Sequence, residues 1–296
     1  MSSTLFFILL VNSVALGMNL FVIAAGLTLI FGVLRIVNFA HGAFYMIGAY
    51  VSYTLIQQLG TSDLGFWAGV IGGGLAMGLI AFVIERLLLS RLSDGDHMLQ
   101  LLFTFGLVLI IKDVTKLVWG TDQFSIASPP MFRGAVNLGF SYYPAYMLLL
   151  CGIGPIIALA LWYATEKTRW GRIFRAAESD REMLGALGIN VKMVYSAVFV
   201  CGSILAAMGG ALAAPRSAID LGMDSLVIID CFVIVIIGGL GSLKGSFVGA
   251  LILGFLTVFG MVFLQEWSIV LVYGVMIGIL LFRPWGLFGQ SAEERH

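Results

Sequence analysis

Charge is what this sequence lacks most. Only 11% of its 296 residues are Asp, Glu, Lys or Arg, against about 25% in an ordinary soluble domain, and so thin a polar coat excludes a water-solvated enzyme. Histidine is nearly absent: His41, His97 and His296 stand far apart, which excludes a histidine zinc cluster. The three cysteines, Cys151, Cys201 and Cys231, lie in apolar stretches without paired or C-x-x-C spacing; they read as small buried residues and imply neither disulfide nor metal. No nucleophile–base pair and no G-x-x-x-x-G-K-[ST] phosphate loop occurs, so no catalytic residue is expected. Sixteen basic and sixteen acidic residues cancel, leaving no electrostatic case for nucleic acid.

What is present is apolar length. Mean hydropathy is +1.04, and 37 glycines exceed the average share of about 7%, as in membrane helices that approach one another closely. A spanning helix needs about 20 mostly apolar residues. Nine segments qualify as candidates: Leu5 to Val33, Ala40 to Gln57, Leu64 to Leu89, Met98 to Trp119, Tyr142 to Ala164, Met193 to Ala214, Leu226 to Leu240, Phe247 to Leu264 and Trp267 to Phe282. The seventh is short and ends in Gly238-Gly239-Leu240-Gly241, so it reads either as a crossing or as a re-entrant half helix. The expectation is an all-α polytopic membrane protein with eight or nine spans, a single domain over 1–296. The run from Leu5 has no basic residue before it and is expected to stay as the first span rather than act as a cleaved signal. Gly72, Gly73, Gly74 and Gly78, and Gly249 with Gly254, are expected to mark close helix packing.

Basic residues set the sides. Six of the sixteen fall between Thr165 and Lys192, which makes that loop cytoplasmic. With nine crossings Arg35, Arg86 to Arg91, Lys244 and Arg283 share its side, Lys116, Arg133 and Arg216 fall outside, and the N-terminus is outside. Eight crossings would put the tail outside. The loop also holds ten of the thirty-two charges. Within it, Ala176 to Leu187 reads as one short helix stopped by Gly188, with Met183, Leu184 and Leu187 on one face and Ile189 closing a Schellman-type end. It is a docking helix or else a solvated loop that sets topology.

Here a resemblance becomes specific. Gly171-Arg172-Ile173-Phe174-Arg175-Ala176-Ala177-Glu178 through Leu187-Gly188-Ile189-Asn190 resembles the cytoplasmic loop of permease subunits in bacterial ABC importers of the branched-chain amino acid type. Gly26-Leu27-Thr28-Leu29-Ile30-Phe31-Gly32-Val33 followed by Val37-Asn38-Phe39-Ala40-His41-Gly42 resembles that family's first-helix signature, and Gly238-Gly239-Leu240-Gly241-Ser242 with Gly245, Gly249 and Ala250 its C-terminal glycine signature. The resemblance implies a multi-pass subunit of the bacterial inner membrane that pairs with a second, homologous permease, two cytoplasmic ATPases and a periplasmic solute-binding protein. ATP and magnesium would stay on the ATPases, with no cofactor on this chain. The loop 165–192 would be the coupling element, with Ala177, Glu178, Arg181, Met183, Leu184, Leu187 and Gly188 engaging an ATPase groove. Leu20-Phe21-Val22 stands where relatives frequently have Tyr-Ala-Leu, and related systems carry urea, amides or aromatic acids, so an amino acid or a small amide is the implied solute.

The two glycine-rich breaks bear on the path. Arg35 and His41 sit among headgroups if the first break is an edge turn; in the other reading Asn38 and His41 face the interior, where polar groups are costly and functional. His41-Gly42-Ala43-Phe44 parallels Lys244-Gly245-Ser246-Phe247, either as corresponding corners of an internal repeat flanking a translocation path or by chance. The candidate path residues are Asn38, His41, Phe44, Asp230 and Phe247, and Gly42, Gly238, Gly239, Gly241 and Gly245 are the candidate packing or hinge glycines. Asp230 either lines the path or lies near the outer surface, and Lys112 with Asp113 is expected to snorkel to the outer interface. Three classes follow: an ABC importer permease, an ion-coupled secondary transporter relying on Asp230, and a channel or scaffold that has no need of a capped loop helix.

Overall fold

A computed structural model describes residues 3–91, 97–139 and 141–289. The described residues form eleven α-helices and one small hairpin: α1 (Ser3–Leu34), α2 (Ala40–Leu59), α3 (Asp63–Leu87), α4 (His97–Trp119), β1 (Ala135–Asn137), β2 (Tyr142–Pro144), α5 (Ala145–Lys167), α6 (Arg169–Ser179), α7 (Arg181–Ala186), α8 (Val191–Ala213), α9 (Met223–Gly238), α10 (Leu243–Phe263) and α11 (Ser268–Phe282). Helices dominate because in hydrocarbon every backbone group must be paired within its own segment. Polar residues at the breaks start them: Ser62 accepts from Gly65 N, Asn190 from Met193 N and Ser242 from Gly245 N, satisfying N–H groups that a helix start leaves open.

Each of the nine apolar segments is a helix, and six helices are long and apolar enough to cross a membrane. The seventh segment, α9, has 16 residues, about 24 Å, short of a hydrocarbon core of about 30 Å. The charged loop 165–192 departs from expectation. Instead of one helix over Ala176 to Leu187, the chain makes α6 and α7, broken at Asp180, whose backbone is extended (φ −149°).

α1 is the central post and packs on α10, α8, α5, α9 and α6, while α2, α3 and α8 form a second packed group. Glycines form the seams. A methyl on Gly48 would overlap the backbone of Ala207, one on Gly254 the Ser13 carbonyl, and one on Gly73 the Ser52 hydroxyl. The outward faces of α3, α4 and α11 are apolar and exposed, as at Leu75, Leu79, Phe105, Ile110, Ile269 and Leu281. One end of the bundle carries the β1–β2 hairpin and the Phe124–Ile219 bridge; the other carries α6, α7 and the glycine turn after α9. This sorts the loops into the two groups that the basic residues define.

Candidate functional site

Asp180 breaks the loop because its carboxylate is better placed as a cap: Oδ1 accepts from Glu182 N at 2.9 Å and Met183 N at 3.0 Å. The far end of α7 closes as a full Schellman motif, with Gly188 N bonded to Gly185 O at 3.0 Å and Ile189 N to Leu184 O at 3.3 Å. Gly188 takes φ +80°, which a side chain would strain. Ile189 joins a small apolar cluster with Leu184, Ala177, Val33, Val194 and Val198.

That cluster divides the trio expected on one face. Leu184 is 2% exposed and turned onto the membrane helices, whereas Met183 and Leu187 are 59% and 71% exposed. At 100° per residue Leu187 stands about 40° and Leu184 about 100° round from Met183, so the edge of that arc carrying Leu184 is the one that meets the bundle. Ala177 is buried with Leu184. The Arg181 side chain lies outside the described residues.

The three motifs of the sequence meet at the end of α6. Arg35 Nη2 donates to the Glu178 carbonyl at 2.9 Å, and the Glu178 carboxylate lies 3.6 Å from where a Cβ on Gly241 would be. Gly241 in turn faces Gly32 near the end of α1. Gly239 and Gly241 hold φ of +105° and +84°, the left-handed geometry that makes so tight a turn between α9 and α10. Gly238 and Gly245 interlock across this turn, leaving no room for a methyl on either. Arg35 itself has φ +55°, unusual for a residue with a side chain.

The first break divides the two readings offered for it. Arg35 is at the edge, but Asn38 and His41 are 1% and 0% exposed. His41 Nε2 donates to the Ile23 carbonyl at 2.9 Å, which lies eleven residues before the end of α1, about 16 Å along the axis. The five residues Arg35 to Phe39 therefore run back along α1 before α2 begins, a distance that five extended residues just cover. Asn38 Oδ1 accepts from Ala40 N at 3.1 Å, while among the described residues Asn38 Nδ2 and His41 Nδ1 are buried without a partner. Above them Phe44 meets Phe199 edge-on at 5.8 Å, and Phe247 meets Phe21 at 5.1 Å.

The second break is different in depth. Lys244 is exposed, and Ser246 bonds Thr28 across to α1 at 2.5 Å, only six residues from the α1 end. The two breaks both rest on α9, since Gly42 abuts Asp224 and Gly245 abuts Gly238, but at its opposite ends. Asp230 is half-buried and has no hydrogen bond or ion pair among the described residues. Nor does Lys112 simply snorkel: its Nζ lies 3.0 Å from buried Asp224 and 3.3 Å from Ser225. Sequence reasoning also passed over Glu85, 3% exposed in α3 and hydrogen-bonded by the Ser196 hydroxyl of α8. Among the described residues no cluster of three or more His, Cys, Asp or Glu is arranged to hold a metal ion.

Residues 9–280 match the family described as branched-chain amino acid transport system, permease component. The chain belongs to this permease family. It is 30% identical over 298 residues to the high-affinity branched-chain amino acid transport system permease protein BraD of Pseudomonas aeruginosa, covering 97% of this chain and 96% of the relative. It is 30% identical over 296 residues to the permease protein LivH of Escherichia coli strain K12, covering 96% of each. A weaker relationship, 24% over 307 residues, extends to LivM of the same strain, covering 96% of this chain and 71% of LivM. No solved structure matches the chain. The family match spans all three motifs, so the permease frame runs from the first helix through the loop to the glycine turn.

Proposed function

We propose that this chain is a membrane-spanning subunit of an ATP-binding-cassette importer that carries a hydrophobic amino acid, branched-chain foremost, across the bacterial inner membrane. ATP and magnesium would be bound by two cytoplasmic ATPase subunits. A second homologous permease would complete the pore, and a periplasmic solute-binding protein would deliver the solute. The kinship to both LivH and LivM favours a pair of unlike permeases. The nine helices are taken as nine crossings with the N-terminus outside, in keeping with the loop charges.

The observation that carries the coupling role is the joint at Glu178, where the loop holds Arg35 of the first break and touches Gly241 of the second. A pull on α6 and α7 through exposed Met183 and Leu187 would move both breaks together. A joint that ties both breaks to one loop is what a switch between inward- and outward-open states would work through. Asn38, His41, Phe44 and Phe247 would line the path, with buried, unpartnered Asn38 Nδ2 and His41 Nδ1 available to a passing solute. Asp230 would contribute at its outer half.

The test is uptake by proteoliposomes holding the four membrane and ATPase subunits, with the solute-binding protein outside. Leucine uptake that requires internal ATP is expected, together with ATP hydrolysis stimulated by the loaded binding protein. Uptake by the permease pair alone, driven by an ion gradient and abolished by Asp230→Asn, would instead identify an ion-coupled secondary transporter. Uptake of urea or an amide in place of leucine would correct the solute alone.

A further inference from the structure

Towards its junction with α6, the exposed side of α5 changes chemistry in a fixed order. Ile156, Tyr163 and Lys167 are exposed and lie within about 40° of one another around the helix. Exposed Leu159 and Trp162 widen this face to about 140°. Over about 17 Å of axis it passes from aliphatic to aromatic to cationic, the order of a hydrocarbon layer, its interface and its headgroups. Lys167 does not extend into solvent: its Nζ turns back over the Trp162 ring, 5.6 Å from the centroid, which holds the ammonium at the aromatic level.

The corner that follows is tightly built. Thr168 Oγ1 accepts from Gly171 N at 3.2 Å, and a methyl on Gly171 would overlap the Thr165 carbonyl. Arg175 Nη1 donates to that carbonyl at 2.5 Å and to Glu166 Oε2 at 2.9 Å, so the acid of the corner is already neutralised. Lys167, Arg169 and Arg172 are exposed and have no acidic partner among the described residues. Arg169 and Arg172 stand about 60° apart on α6, on the side away from buried Gly171 and Ala177.

Three unbalanced cations bordered by aromatic rings and an aliphatic face fit one partner. We propose that this corner binds an anionic phospholipid of the leaflet on the loop side: its phosphate on Lys167 and Arg169, its glycerol level with Trp162 and Tyr163, and one acyl chain along Ile156 and Leu159. Arg172 adds to the positive field one turn further on. A water-soluble protein could meet the cations but would leave the aliphatic face uncovered, and exposed apolar residues suited to such a partner lie elsewhere, at Met183 and Leu187. A zwitterionic lipid would cover that face but lacks the net negative charge that attracts basic segments to a membrane.

The chain is purified from its native membrane in mild detergent, with the subunits it retains, and offered an equimolar mixture of dioleoyl phosphatidylglycerol and dioleoyl phosphatidylcholine. Native mass spectrometry counts the lipids kept. Phosphatidylglycerol should be retained in preference, and Lys167→Gln and Arg169→Gln should each lower its affinity about fivefold. Arg133→Gln, at the opposite end of the bundle, should leave retention unchanged. Glycerophosphoglycerol, the same headgroup without chains, should not displace the lipid. Absence of a preference, retention untouched by both variants, an equal loss with Arg133→Gln, displacement by the chain-free headgroup, or loss of a protein subunit with the lipid still bound would each overturn the site. The measurement contains neither ATP nor solute, so failure of ATP-driven uptake would leave its result standing.

Discussion

Gly48 and Gly106 both sit inside helices, α2 and α4, yet a single methyl meets opposite fates at the two. At Gly48 it would collide with the backbone of Ala207, whereas at Gly106 nothing lies within 4 Å. Backbone cannot step aside as a long side chain can, so Gly48→Ala should cost about 1–3 kcal/mol. Gly106→Ala should be neutral or gain up to about 1 kcal/mol through helix propensity. Thermal unfolding of the purified variants in detergent reads the difference, with a lower Tm for the first only. Arg35 illustrates the reverse economy: a left-handed backbone costs about 1–2 kcal/mol for a residue with a Cβ, and here it accompanies a guanidinium that holds the end of α6. Replacement by Gly would relax the backbone and release the loop at once.

At the scale of elements, α7 is clamped from one side and open on the other. Leu184 belongs to the cluster that fixes the loop onto α1 and α8, so Leu184→Ala should destabilise the subunit itself by about 2–5 kcal/mol. Met183 and Leu187 touch solvent. Changing both to Ser should leave Tm unaltered while weakening co-purification of the ATPase subunit and lowering stimulated ATP hydrolysis. A loss of Tm in the double variant, or intact ATPase binding, would contradict that division. Part of this element is legible in the sequence. Gly188 announces the stop of α7 because a left-handed turn there suits no other residue as well. Asp180 gives no such notice, since an acid in a charged loop reads equally as a solvated residue or as a cap, and only the fold shows its carboxylate on two amides.

The whole molecule repeats that contrast. Apolar runs of the right length reveal all nine principal helices, because hydrocarbon leaves the backbone few alternatives. What they conceal is depth. Nothing in Arg35-Ile36-Val37-Asn38-Phe39 states that the chain turns back about 16 Å along α1, which follows only from His41 reaching the Ile23 carbonyl. Glu85 was hidden for a related reason: beside Arg86 at the end of an apolar run it resembles an interfacial charge, and its burial depends on Ser196, more than a hundred residues away.

The returning segment has an electrical consequence. Among the described residues the amides of Ile36 to Phe39 bond to no acceptor, and unpaired amides within a membrane draw water. Water drawn along this segment would shorten the distance over which the protein must insulate. The remaining insulation includes the edge-on pairs Phe44–Phe199 and Phe21–Phe247. Phe44→Ala should therefore turn a resting permease into a slow proton leak, visible as faster collapse of a pH gradient in liposomes with no solute and no ATP. An unchanged collapse rate would mean that the dry barrier lies elsewhere.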